Sequence, residues 1–197
     1  SIINTPPVGR KNIETNIINK SSEELKTYID REINRGGQIL FVHNNIETMQ
    51  EEIDFLKNIN KEYRVYRIHG QLHNKEIAKI MNAFINEEID ILICTSIIES
   101  GLDMTNVNTI IINNAQNFGL SQLHQIRGRV GRSKRQAYAG LILSEPIKIS
   151  KEAQKRLDAF IKTDSLAGGL EIAGHDLEIR GAGEILGEEQ SGQIFEI

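Results

Sequence analysis

From Asn12 to Leu143 short apolar runs alternate with amphipathic segments, and that rhythm constrains the fold more than any other feature of the chain. "NIETNII" (Asn12 to Ile18), "QILFVH", "YRVYRIH", "DILICT", "NTIIIN" and "AYAGLIL" have the length and β-branched content of strands. Between them lie helical patterns. "SSEELKTYIDREINR" opens on a Ser cap with acids in its first turn and stops at Gly36-Gly37. "NIETMQEEIDFLKNI" is predicted to be a helix capped by Asn44 or Asn45. "NKEIAKIMNAFINEE" sets Ile77, Ile80, Met81 and Phe84 on one face. Strands and helices alternating through short loops predict an α/β fold: a mostly parallel sheet, right-handed crossovers, and helices on both faces.

Sheets of this kind bind ligands beyond the carboxyl ends of their strands. Those ends are His43-Asn44-Asn45, His69-Gly70-Gln71, Thr95-Ser96 and Asn113-Asn114. Backbone N–H groups and helix N-termini point outward there, which suits anions. The same residues also cap helices, so none of them alone defines a site.

After Pro146 the rhythm changes. "SKEAQKRLDAFIKTDSL" is an amphipathic helix with Leu157, Phe160 and Ile161, and seven of the chain's sixteen glycines lie between Gly168 and Gly192. A second short helix and an irregular, specifically shaped loop are expected, as an appendage to the sheet. The last residues, "QIFEI", have neither cap nor polar tail and predict a piece of a longer protein.

The formal net charge of −4 does not advertise a nucleic-acid binder, so any such surface must be local. Arg127 to Arg135 supplies one: five basic residues and no acidic one. The lone Cys94 can form neither an internal disulfide nor a zinc site, and a cytoplasmic protein is expected. No apolar run approaches the roughly 20 residues that span a bilayer, and no signal peptide is read at the N-terminus.

The sequence holds no G-x-x-x-x-G-K-[ST] loop, nucleophile elbow or H-E-x-x-H. It does hold "QIRGRVGR", Gln125 to Arg132, and thirty residues earlier "CTSIIESGLDM", with Thr95, Gly101 and Asp103. The first resembles motif VI, and the second motif V, of the superfamily 2 helicases. "IHGQL", "FGLSQLHQIRGRVGRS", "AYAGLIL", "AQKRL" and "HDLEIRGAGEILGEEQSG" together resemble the bacterial transcription-repair coupling factors over almost the whole chain, with the RecG helicases as near relatives. One departure stands after the motif V Asp, where Met104-Thr105 occupy the place of the family's usual Ile-Pro.

The resemblance implies a division of the chain. Residues 1–20 would link from a preceding lobe, 21–146 would form a second RecA-like helicase lobe, and 147–197 would form the translocation-in-RecG motif. Arg129 and Arg132 would act as arginine fingers on the γ-phosphate of ATP, whose Mg²⁺ and phosphates are held mainly by the preceding lobe. Gly128 and Gly131 would let the backbone turn tightly enough for both to reach the cleft. Gln125, Gly101 and Asp103 would contact the nucleotide, Asp103 through ribose or the motif VI side chains.

Thr95, His43, Asn44, His69 and Gly70 would meet the backbone of double-stranded DNA. Such contacts position without reading sequence. His69 could instead be a satisfied core histidine. Arg127, Lys134 and Arg135 either touch DNA or are simply solvated. Arg156, Arg180 and Gln190 would couple hydrolysis to motion, although Arg180 could equally pair with Glu178 or Glu184. Three functions follow. The first is a motor fragment of a translocase that displaces stalled RNA polymerase and, through domains outside this chain, recruits a repair excision protein. The second is RecG-like fork remodelling. The third is a catalytically silent interaction lobe.

Overall fold

The computed structural model describes residues 12–96, 104–131, 133–144 and 148–163. Six strands form one sheet: β1 (Glu14–Ile18), β2 (Gln38–Val42), β3 (Val65–Ile68), β4 (Ile91–Cys94), β5 (Val107–Asn113) and β6 (Tyr138–Ile142). Their spatial order is β1-β6-β5-β2-β4-β3, and every neighbouring pair is parallel. β2 lies between β5 and β4, with their residues in register from Ile39 to Val42. The chain builds the sheet outward to one side of β2 with β3 and β4, then crosses to the other side for β5 and β6. The carboxyl ends of β2, β4 and β5 therefore flank the point where strand order reverses, the place such sheets reserve for ligands.

Among the described residues five α-helices pack on the sheet: α1 (Ser22–Asn34), α2 (Met49–Ile59), α3 (Asn74–Ile85), α4 (Leu120–Arg127) and α5 (Lys151–Lys162). The period-2 alternation of each strand divides the core. Ile39, Phe41, Ile91, Ile93 and Ile111 face Leu25 and Ile29 of α1 and Met49 and Leu56 of α2. Leu40, Val42, Leu92, Ile110 and Ile112 face Met81 and Phe84 of α3, Leu123 and Ile126 of α4, and Leu157 and Phe160 of α5. Both faces are covered, which explains why β2 and β5 are buried at every position. Truncating Phe41, fully buried, to Ala would cost ~3–5 kcal/mol.

Local chemistry sets the helix ends. The Ser21 hydroxyl accepts the Glu24 N–H at 3.2 Å and starts α1. Gly36, at φ +83°, turns the chain out of that helix, and its N–H returns to the Ile33 carbonyl at 2.9 Å. Glu32, fully buried on α1, is held by the Arg35 guanidinium at 2.6 Å and accepts the Thr109 hydroxyl of β5.

Two elements differ from the sequence expectation. The segment before α2 starts on Asn45, one of the two expected caps, but it is not one α-helix. A 3₁₀ turn over Ile46–Thr48 comes first, because the Asn45 side chain accepts the Glu47 N–H at 3.1 Å and Thr48 is tied sideways to His43. The second difference is α4. The sequence pattern named no helix there, yet Leu120–Arg127 is helical and buries Leu120, Leu123, Ile126 and Arg127, so the basic stretch begins on the last residue of a helix. α5 opens on Ser150, whose hydroxyl accepts the Ala153 N–H at 3.1 Å, and it sits against the same core as α4.

Candidate functional site

Two concave regions lie at the carboxyl ends of the central strands. The first is a cleft lined by Leu40, Val42, Thr95, Ser96, Gln122, Gln125, Ile126 and Arg129. It brings Thr95, just beyond β4, together with Gln125 and Arg129 from the end of α4. Among the described residues that line it, none is acidic and one is a cation, so the cleft fits an anion. Arg129 is half-buried, and its charge acts on the neighbouring Cys94 thiol. Burial pushes that thiol far above its ordinary value and Arg129 opposes the push only partly, so Cys94 stays protonated and inert.

The turn that aims Arg129 continues α4 by one step. The Gly128 N–H donates to the His124 carbonyl at 2.9 Å and the Arg129 N–H to the Ile126 carbonyl at 3.1 Å. Buried Val130 then pins the turn to the core. The expectation that both glycines provide tight turns holds for one of them. Gly131 sits at φ +79°, and a Cβ there would lie 3.0 Å from Ile13. Gly128 has φ −64°, ordinary helical backbone that any residue adopts. Arg132, Gly101 and Asp103 lie outside the described residues.

Arg127 corrects the sequence expectation most sharply. It is neither solvated nor on a DNA-facing surface: it is fully buried. Its guanidinium donates to the Phe160 carbonyl at 2.7 Å, the Thr163 carbonyl at 2.6 Å and the Thr15 hydroxyl at 3.0 Å, and it lies 3.8 Å over the Phe160 ring. These carbonyls end α5, where a cation meets the negative end of the helix dipole. Arg127 thus binds α4, β1 and α5 together. It also lowers the proton affinity of His124, second to burial. Lys134 and Arg135 are exposed.

The second region is a polar pocket of about 270 Å³ lined by Lys20, His43, Asn44, Asn45, Thr48, Glu51, Glu52, Asn113, Asn114, Asn117 and Phe118. His43 is buried, and both ring nitrogens are engaged inside the fold: Nε2 lies 2.6 Å from the Thr48 hydroxyl and Nδ1 2.9 Å from the Asn113 amide nitrogen. An amide nitrogen only donates, so Nδ1 accepts and Nε2 carries the proton. Burial holds the His43 ring below its ordinary value near 6.5, against the opposing pull of Glu52.

Asn44 is half-buried, and its Oδ1 accepts from the Ser96 hydroxyl at 3.4 Å, which in turn accepts from Gln122 at 3.4 Å. His69 accepts the Gln71 N–H on Nδ1 at 3.2 Å and shapes an exposed turn. It is partly exposed rather than a core residue. Gly70 is exposed with open space beside it.

Arg156 is buried on α5 and donates to the Phe118 carbonyl at 3.2 Å and the Gln116 carbonyl at 3.2 Å, fixing the helix to the β5–α4 connection. Arg180 and Gln190 lie outside the described residues. Among the described residues no cluster of His, Cys, Asp or Glu could hold a metal ion, and no helix is long and apolar enough to cross a membrane. Sequence reasoning missed Gln122, Lys20 and Glu52 as members of these sites. The first stands three residues before Gln125 and so shares its face of α4, a helical spacing that was legible.

The helicase conserved C-terminal domain family matches residues 20–134. The chain is 46% identical over 197 residues to the transcription-repair-coupling factor of Haemophilus influenzae, and 46% identical over 194 residues to that of Escherichia coli. It is matched over 100% and 98% of its own length, and it spans 17% of each relative. A solved structure of RecG bound to a three-way DNA junction superposes with a TM-score of 0.73 at 35% identity, covering 90% of this chain and 24% of that one. Domain 2 of the DEAD-box helicase Mss116p, bound to an RNA duplex, shares the fold at a TM-score of 0.61 and 18% identity, over 85% of this chain and 69% of that one. The six-stranded parallel sheet, the cleft at the end of α4 and these likenesses agree: the chain belongs to the helicase conserved C-terminal domain family.

Proposed function

We propose that this chain is the second RecA-like lobe of an ATP-driven double-stranded DNA translocase that displaces stalled RNA polymerase and promotes transcription-coupled repair. The observation that carries the proposal is the single cleft gathering Thr95, Gln125 and Arg129 without a lining carboxylate among the described residues. Thr95 stands at a strand end, where backbone N–H groups favour a DNA phosphate. Gln125 is exposed on the last turn of α4 and free to meet a nucleotide. Arg129, with Arg132, brings positive charge toward a γ-phosphate as charge shifts to it in the transition state.

ATP supplies the free energy when bound, and its Mg²⁺ and triphosphate belong mainly to the preceding lobe of the same protein. RNA polymerase and a repair excision protein meet other parts of that protein, and the setting is cytoplasmic. In the C-terminal segment Arg180 and Gln190 convert lobe closure into movement on DNA, with Arg156 anchoring the helix before it.

A RecG-like fork-remodelling role is the second reading, supported by the superposition on RecG. The test uses the intact protein that carries this chain. DNA-dependent ATP hydrolysis with release of a stalled RNA polymerase is the expected result. Fork regression without polymerase release would favour the second reading. No DNA-dependent hydrolysis at all would leave the silent interaction lobe.

A further inference from the structure

The polar pocket holds a hydrogen-bonded chain whose members come from separate elements. Lys20, after β1, meets Glu52 Oε1 on α2 at 2.6 Å. The amide nitrogen of Asn113, at the end of β5, donates to the same oxygen at 3.2 Å and to His43 Nδ1 at 2.9 Å. His43 Nε2 then donates to the Thr48 hydroxyl at 2.6 Å, and that hydroxyl reaches the Asn45 carbonyl at 3.4 Å. The chain ends on the backbone of the turn that presents Asn44 and Asn45.

Its direction is fixed by chemistry. One amide nitrogen has two protons and gives one to a carboxylate and one to a ring nitrogen, so the ring must be neutral and must donate from its far side. Glu52 and Asn113 are buried, while Lys20 is about a third exposed. A buried carboxylate beneath a loop meant to meet phosphate would repel it. Lys20 removes that repulsion by pairing with it.

We propose that Lys20, Glu52 and Asn113 are positioning residues for the DNA-backbone contact of the Asn44-Asn45 turn, acting through His43 and Thr48. They touch no DNA themselves. They set the turn's backbone, and Lys20 pairs with the Glu52 charge beneath it. The inference rests on the DNA contact that the helicase resemblance implies at Asn44 and goes beyond it by naming what holds that contact in place.

The experiment measures, on the intact protein, the duplex concentration giving half-maximal ATP hydrolysis, the maximal rate and the melting temperature. The variants are Lys20→Met, Glu52→Ala, Asn113→Asp, Asn113→Asp with Glu52→Gln, and Asn44→Ala. For Lys20→Met, Glu52→Ala and Asn113→Asp, half-saturation is expected to rise about fivefold or more, roughly the loss of one ordinary hydrogen bond, with the maximal rate less affected. The double variant restores an amide–carboxylate pair between positions 52 and 113 but leaves His43 Nδ1 without its donor, so only partial recovery is expected. Lys20→Met removes a partly exposed side chain and keeps the test sound where the buried variants fold poorly. If Asn44→Ala weakens DNA engagement while Lys20→Met and the folded network variants leave half-saturation at the wild-type value, the positioning role is wrong and the DNA contact stands. If Asn44→Ala is also without effect, the DNA contact at this turn is itself wrong and the inference falls with it.

Discussion

Arg127 and Arg129 stand two residues apart in the same basic stretch and meet opposite environments. Arg127 closes the last turn of α4 on the side that faces the core, so its guanidinium caps the carbonyl end of α5. Arg129 lies beyond the helix, where the chain has turned toward the open cleft with Thr95 and Gln125. A run of arginines in sequence is therefore not a run in space. Helical geometry before Gly128 and its loss by Gly131, at φ +79°, sort identical side chains into a structural clamp and a candidate chemical group.

Substitutions at the two arginines should have opposite consequences. The largest effect is expected from Arg129→Ala in the intact protein: ATP turnover falls ~10³-fold, the range of other arginine fingers. Its melting temperature should stay close to wild type, because a half-buried cleft side chain leaves no cavity in the core. Wild-type turnover would remove Arg129 from the chemistry. Next is Arg127→Ala, expected to destabilise by ~3 kcal/mol as the Phe160 and Thr163 carbonyls and the Thr15 hydroxyl lose their donor. Denaturant unfolding checks this, and a change below about 1 kcal/mol would mean water replaces the guanidinium.

The two glycines carry the same contrast into the backbone. Gly131→Ala should destabilise by ~1–2 kcal/mol from left-handed backbone and the crowding against Ile13, whereas Gly128→Ala should change stability by under about 1 kcal/mol. Equal losses at both positions would show that the turn is not built this way.

The smallest effect concerns pH. His43 is held neutral by burial, below its value near 6.5 in an unfolded chain. A depressed folded value means that the unfolded state takes the proton first as pH falls. The neutral ring's contribution is complete above about pH 6.5 and is lost as pH drops below it toward the folded value. His124, also depressed by burial and by Arg127, acts in the same direction. Unfolding free energy measured from pH 8 to pH 5 should decline in the lower half, and less steeply in His43→Gln.

The sheet was legible because six apolar runs and their intervening helices follow the periods of their elements, as Phe41 and Leu40 pointing to opposite faces illustrate. α4 was not, because arginines and glycines at its end mask a spacing of three in Leu120, Leu123 and Ile126. Within the site, Thr95, Gln125 and Arg129 were each named from their likeness to helicase motifs, but their meeting in one cleft became visible only in the fold. The burial of Arg127 did not, since its partners Phe160 and Thr163 lie more than thirty residues away. The same holds for His43. A histidine at a strand end looks available for phosphate until Asn113, from a strand 70 residues away in sequence, occupies its ring nitrogen.

The two arginines do different work, and a paired measurement separates them. Arg127→Lys and Arg129→Lys keep the charge at each position and remove the planar fork. On the same preparations of intact protein, DNA-stimulated ATP hydrolysis and the melting temperature are measured together. The predicted result is a crossed pattern: Arg127→Lys lowers the melting temperature by several degrees and retains hydrolysis in the fraction that stays folded, while Arg129→Lys keeps the melting temperature and loses most hydrolysis. If both variants fall in stability and turnover together, or if Arg129→Lys hydrolyses ATP as wild type does, the division between clamp and finger is contradicted.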